Sequence, residues 1–441
     1  KMMNRKGTIS MKDGREIAQY SLKALGKTGL EKYECSLDYS RKHELNVDSD
    51  EISLLRTTDD VSLSLGGITE DREASLSINQ TDRKSIDEAA EKVYRMAASS
   101  EADPANDISP VQEPASFHKG PAEPDRELMY VRMKSFMEYS GKNYPSLILE
   151  QAILDFTLET EYYLNSNDVD LSSSTGSYSF FPMFTSKEGE DTSSFNYARM
   201  CAWDLDRQLW KYGSVDDLME QSTGQVRPTE FQGKFIGDVI VTPDCLEVFL
   251  SYIGMYLQDY PMIKGTSIFR DSLEKQIAAP CLTLRSKPVS GGLPSGYFIT
   301  GDGFTARDTT VIQDGVLKSY LLSLYGANKT GLKRSPVQWG PWIVDEGSRD
   351  LDEMIGSVEK GILLCRFSGG MPSESGDFSG VAKNSYLIED GAISEPVKEV
   401  MISGNLKDFL LKTEAVSRER INSGYGIFPW LLTRGVSIFG K

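Results

Sequence analysis

The chain has 441 residues, 39% apolar and 26% charged, enough for two or three domains with filled cores. A net charge of −17 speaks against nucleic acid as the main ligand, because phosphate binding needs a basic surface and no Lys/Arg run supplies one. No stretch approaches the roughly 18 apolar residues of a membrane span, and only two histidines, His43 and His118, are present.

The five cysteines are scattered, with no CxxC pair, so reduced cytoplasmic thiols are expected rather than a disulfide framework. Scarce histidine speaks against a multi-histidine metal site. The opening KMMNRKGTISMKDGRE has charge but no apolar h-region, so it does not read as a signal peptide. Its lysine start leaves room for residues upstream.

In chain order, residues 11–26 read as an amphipathic helix with Ile17, Tyr20, Leu22 and Leu25 apolar and Gly26 at the end. Alternating runs follow at Tyr33–Asp38, Glu44–Asp48, Ile52–Arg56, Val61–Leu65 and Ala74–Ile78. Ser85-Ile86-Asp87-Glu88 has the form of a capping box, and the helix behind it aligns Ile86, Ala89, Ala90, Val93 and Met96. Helix, antiparallel strands and helix make an N-terminal α+β domain over 1–99. Five prolines between Ser99 and Asp125 mark 100–125 as a linker or surface strap, with His118 solvated in it.

A middle α+β segment over 126–232 opens with a helix at Arg126–Tyr139. Strands are expected at Leu147–Leu164, Tyr178–Phe184 and Phe195–Trp203, with NSNDVDLSSSTGS as a polar turn region. Tyr162, Tyr163, Tyr178, Phe180, Phe181 and Phe184 read as the packed side of a sheet, a binding groove being the alternative. Ser214-Val215-Asp216-Asp217 caps a helix to Gln221, and a strand is expected over Phe235–Val241.

Residues 233–441 read as a β-rich C-terminal domain with a central buried helix. Thr242-Pro243-Asp244 starts that helix, Leu246, Phe249, Leu250, Ile253 and Leu257 form its apolar face, and Pro261 closes it. Asp314-Gly315 and Asp390-Gly391 sit between apolar alternations, the signal for tight hairpins. Further strands are expected at Gly361–Phe367, Val397–Ser403 and Val436–Phe439, with a short helix from Gly404 to Lys412. Ser368–Gly380 is a glycine- and serine-rich loop, but no helix start follows to make it a phosphate cradle. Nucleophile-elbow, P-loop, dinucleotide and EF-hand patterns are absent. From the residues alone this is an α+β protein without a visible catalytic constellation.

An ordered series of motifs carries more. Lys264-Gly265-Thr266-Ser267 is followed by Asp271–Gln276 (DSLEKQ), Gly303–Arg307 with Thr309–Leu317, and Leu321–Gly331. Ser375–Ser379, the Ile388–Gly391 hairpin and Ile402–Leu406 complete it. The series resembles the TldD/PmbA family, metalloprotease-related proteins also called modulators of DNA gyrase. In TldD-type chains of that family, the helix before the Gly-Thr-Ser turn carries His-Glu-x-x-x-His, which holds a metal and supplies a general base. Counting back from Gly265, those positions here are Leu250, Ser251 and Met255. The family's third ligand, a cysteine, would fall in Asn422–Gly426, which has none.

The resemblance therefore implies a PmbA/TldE-type subunit, catalytically inactive alone and without cofactor. Zinc is expected only in a TldD-type partner, within a cytoplasmic homo- or hetero-oligomer that matures and degrades unfolded or extended peptides. Lys264, Thr266, Ser267, Ser375 and Asp377 are the candidate peptide-binding residues. A stand-alone peptide-binding or interaction protein is the alternative, with gyrase modulation a third reading that the spacing of acids does not support.

Overall fold

The computed structural model describes residues 11–48 and 51–440. It is an α+β structure built on two sheets. The first half contributes α1 (Met11–Leu25), β1 (Lys32–Asp48), β2 (Glu51–Thr69), β3 (Arg72–Ile78), α2 (Arg83–Ser99) and β4 (Ala115–Lys119). It continues with α3 (Arg126–Asn143), β5 (Leu147–Asn165), β6 (Val169–Glu188), β7 (Asp191–Thr192), β8 (Asn196–Tyr197), β9 (Met200–Ala202) and α4 (Val215–Gly224). These strands run in the order β3-β2-β1-β5-β6-β4, with β7, β8 and β9 along β6.

Sequence reading divides this half at the proline-rich stretch, yet β1 pairs with β2 on one side and β5 on the other. Segments 1–99 and 126–232 thus share one sheet. The same double pairing fuses short expected strands: Ser40-Arg41-Lys42-His43 stays extended because both neighbours take its backbone hydrogen bonds. Expected turn residues Asp170–Ser177 belong to β6, and only Ser166–Asp168 turn. Strand β4 lies parallel along this serine run, and Ser172 Oγ donates to Ser116 Oγ at 2.9 Å. Five of the six aromatics, all but Phe181, are buried as sheet packing requires.

Helix α2 starts three residues earlier than the capping-box reading, because Asp82 accepts from the Ser85 N–H at 3.1 Å. Its buried stripe ends on Ala97, and Met96 is exposed. The strap at 100–125 is anchored: Ile108 and Ser109 are buried, and Gln112 bridges the Gly303 carbonyl (2.8 Å) and the Thr305 N–H (3.0 Å).

The second half contributes β10 (Lys234–Val241), α5 (Pro243–Tyr256), α6 (Asp259–Lys264), β11 (Leu284–Ser286), β12 (Thr309–Gln313), β13 (Val316–Leu317), α7 (Leu324–Thr330) and β14 (Trp342–Val344). Then follow α8 (Leu351–Gly356), β15 (Lys360–Leu364), β16 (Arg366–Gly369), β17 (Asp377–Lys383), β18 (Ser385–Glu389) and β19 (Ala392–Val397). The chain closes with β20 (Val400–Asn405), α9 (Leu406–Leu411), β21 (Thr413–Asn422) and β22 (Gly426–Phe439). Strand β22 is the hub, pairing with β10, β14, β20 and β21.

Helix α5 ends at Tyr256, so Pro261 does not close it. That proline sits inside α6, which stops at Gly265 in the left-handed conformation (φ 75°). Leu246, Phe249, Leu250, Ile253 and Leu257 are all buried as the spacing predicts. Phe249 stacks on Phe409 (4.6 Å between centroids) and meets Phe378 edge-on at 5.4 Å. No helix among the described residues is long and apolar enough to cross a membrane.

Both Asp-Gly hairpins form. Asp314 and Gly315 (φ 49° and 80°), like Asp390 and Gly391 (φ 50° and 78°), occupy the two positive-φ positions of a type I′ turn. Glu70 and Asp71 (φ 50° and 59°) make the same turn between β2 and β3 without a glycine. A Cβ at Gly391 would also stand 2.9 Å from the Gly356 carbonyl oxygen. Gly391→Ala is therefore expected to lower stability by about 1–2 kcal/mol in urea unfolding, whereas Gly356→Ala, with open space around the new methyl, should not.

Candidate functional site

A cavity of about 530 Å³ lies between the two sheets. Asn196, Tyr197 and Arg199 line it from the first sheet; the opening turns of α5 and the segment Cys365–Phe367 line it from the second. The register explains how: β10 pairs in parallel with β15, so the start of α5 and residue 365 leave neighbouring strands side by side. The Thr242 hydroxyl fixes this junction by donating to the Cys365 carbonyl at 3.3 Å rather than capping α5. Ser214 likewise makes no side-chain cap to α4.

Charge in the cavity is arranged unevenly. Arg199 pairs with Glu247 and lies over the Tyr425 ring at 4.8 Å. Arg366 lies over Tyr197 (4.7 Å) and Phe195 (5.6 Å) and donates to the Phe195 carbonyl at 2.7 Å. Burial raises the Asp244 carboxyl above its ordinary range, against the Ser214 hydrogen bond. Burial also raises the Cys245 and Cys365 thiols, which keeps both protonated and poor nucleophiles. Such an enclosure suits binding.

The three positions assigned by the family register fall along α5. Leu250 is buried in the core, Met255 packs against it, and Ser251 lines the cavity with its Oγ donating to the Glu247 carbonyl at 2.8 Å. Ser423, within the stretch where the resemblance puts a cysteine, and Ile421 just before it line the same cavity. Leu250 has no donor atom, Met255 offers only a neutral thioether in place of the Cys, His or carboxylate ligands zinc takes, and Ser251 spends its hydroxyl on the helix. Both histidines sit in the first sheet, His43 buried against Thr57 and His118 exposed beside Ser116. Among the described residues no three His, Cys, Asp or Glu side chains are placed to hold a metal. The residues at this site do not fit zinc.

The five candidate peptide-binding residues gather elsewhere, around the C-terminal end of α5. Lys264 is exposed, and the Thr266 N–H donates to the Pro261 carbonyl at 2.9 Å. Ser267 is buried; its Oγ donates to the Tyr256 carbonyl at 2.5 Å and accepts from the Phe269 N–H at 3.1 Å. Ser375 donates to Asp377 at 2.6 Å, and Asn405 Nδ2 bonds the same carboxylate at 2.9 Å. Those two bonds hold the Asp377 carboxyl below its ordinary range. Ile268 packs on Gly376, so the two segments adjoin, but none of the five lines the cavity.

Two further cavities continue along the first sheet, of about 220 Å³ and about 350 Å³, sharing Glu159, Thr175 and Gly296. Tyr425 lines the smaller one and carries Arg199 on its ring, which links it to the cavity beside α5. The larger is acidic. Burial, then the charges of Asp38 and Glu159, push the Glu161 carboxyl up to about 8. Sequence reading missed Arg199, Arg366 and this acidic group, because they come from separate strands and form no local motif.

Residues 233–440 match the family described as the PmbA/TldA metallopeptidase C-terminal domain. The second half of the chain is a PmbA/TldD-family domain. In sequence it is similar to a metalloprotease of Methanothermobacter thermautotrophicus, 30% identical over 44% of this chain and 45% of the relative. It is also similar to the metalloprotease PmbA of Escherichia coli O157:H7, 31% identical over 39% of this chain and 41% of that one. The chain thus spans about half or less of the length of the curated relatives it matches. In fold it resembles TldE from Thermococcus kodakarensis, with TM-score 0.82 and 18% identity over 97% of this chain and 99% of that one. A candidate DNA gyrase modulator from Bacteroides thetaiotaomicron gives TM-score 0.87 and 21% identity over 98% and 100%. At such identities the likeness is one of fold.

Two measurements follow from this geometry. Leu250→Ala should cost about 2–5 kcal/mol in urea unfolding, while Ser251→Ala should stay within about 0.5 kcal/mol. The Glu161 pKa is raised on folding, so native protein holds a proton that unfolded chain releases, and stability falls as pH rises from about 4.5 to about 8. Glu161→Gln should therefore raise the melting temperature at pH 8 and leave it unchanged at pH 4.

Proposed function

We propose that this chain is the metal-free, PmbA/TldE-type subunit of a TldD-type metalloprotease, holding unfolded or extended peptides while a partner supplies zinc. The observation that supports this reading is helix α5. It stands beside a cavity between two sheets in a PmbA/TldD-type domain, yet presents Leu250, Ser251 and Met255 where a catalytic chain would need ligands and a base. The sequence relatives carry the name metalloprotease, one curated relative is a TldD homolog, and the fold is shared with a TldE.

In this role the chain's contribution is affinity and alignment. Extended peptides are gripped by backbone pairing and by pockets for alternate side chains, which tolerates many sequences. The linked cavities along the first sheet offer a path for such a segment, and the Lys264–Ser267 and Ser375–Asp377 cluster offers polar groups on the opposite end of α5.

The test is purification of the full chain alone and with a TldD-type subunit. Alone it should carry substoichiometric zinc and leave casein intact; together the two should co-elute and cleave it. Stoichiometric zinc with turnover by the isolated chain would sink the proposal, and failure to associate with any TldD-type subunit would favour the stand-alone peptide-binding reading.

A further inference from the structure

Arg366 is the second guanidinium on the wall of the cavity beside α5. It is half-buried at the cavity wall, held by two aromatic rings and one carbonyl, and among the described residues no carboxylate pairs with it. A guanidinium has five N–H donors in a planar fork, and the Phe195 carbonyl takes only one of them. The cavity's other guanidinium is neutralised, since Arg199 is tied to Glu247. Arg366 is thus left open to an anion of planar, two-oxygen geometry, the geometry that a guanidinium binds bidentately.

We infer that the cavity beside α5 is a carboxylate site in which Arg366 receives the C-terminal carboxylate of an extended peptide. This rests on the peptide-binding reading and adds direction to it. The rings of Phe181, Phe367 and Phe428 on the same walls provide an apolar surround for the last side chain, so C-termini ending in an apolar residue are selected. Its volume, about 530 Å³, is that of a site for a small ligand or a peptide end rather than a whole folded partner. The cavities lined by Asp38, Asp155, Glu159 and Glu161 lie farther along the first sheet, away from the carboxylate end.

The probe is an N-acetylated, alanine-rich hexapeptide ending in phenylalanine, made as the free acid and as the C-terminal amide. Binding to the full chain is measured by calorimetry, with N-acetylphenylalanine and acetate as short acids. The free acid should bind at least tenfold more tightly than the amide. Arg366→Gln should weaken the acid far more than the amide and so erase that difference, and Arg366→Lys should restore part of it. A merely structural role for Arg366 on its rings would weaken acid and amide alike, which overturns the inference. Equal binding of acid and amide to the unaltered chain overturns it too, and leaves the peptide-binding reading standing. If neither peptide binds, both fall; if N-acetylphenylalanine or acetate binds as tightly as the hexapeptide, the occupant is a small acid and the peptide assignment is overturned.

Discussion

The second half of the molecule depends on the burial of one face of α5. Strand β10 is fixed between β22 and β15, and it delivers the chain into α5 through Thr242 and Pro243. From there Leu246, Phe249, Leu250 and Ile253 enter the core, where Phe249 meets Phe367, Phe378 and Phe409. Each fully buried side chain of this size contributes about 1.5–3 kcal/mol of transfer free energy, an upper figure because unfolded chains are partly collapsed. With that face committed to packing, only the first turns and residues such as Glu247, Val248 and Ser251 remain to meet a ligand. Leu250 is absorbed into that core and Met255 lies at its edge.

The cavity exists because two sheets meet there without merging. Phe117 stacks on Phe298 at 4.8 Å, the Tyr163 ring lies under Gly303, and Trp203 Nε1 donates to the Gly292 carbonyl at 3.0 Å. Asp103, in the strap, takes Lys329 and Tyr325 from α7, and the Lys329, Ala105 N–H and Tyr325 bonds hold its carboxyl down to about 2. These contacts fix the spacing of the halves while leaving room at the head of α5. Gly303 is one position where glycine is required, since any Cβ there would enter the Tyr163 ring.

Much of the architecture was legible locally. Period-two alternation located β3 and the buried part of β2, apolar spacing gave α1, α2 and α5, and Asp-Gly marked two of three type I′ turns. Misreadings share a cause: polar residues kept in regular structure by partners far along the chain. The serine run of β6 is a strand because β5 and β4 flank it, and the Glu70-Asp71 turn needs no glycine because β2 and β3 pair on either side. Of the site, only helix α5 could be read in advance, from its start signal and apolar spacing.

The sequence by itself determined the class of the protein, the family of its second half, the buried face of α5 and the absence of histidine beyond residue 118. Each of these is written in local pattern or in composition. The tertiary structure alone decided that segments 1–99 and 126–232 share a sheet, that Ser267 faces inward, and that Arg199, Asp244, Glu247 and Arg366 surround one cavity. Those four residues lie on different turns and strand ends, and their mutual placement follows from strand register across long separations. Non-local pairing of that kind leaves no trace in the neighbours of any one residue.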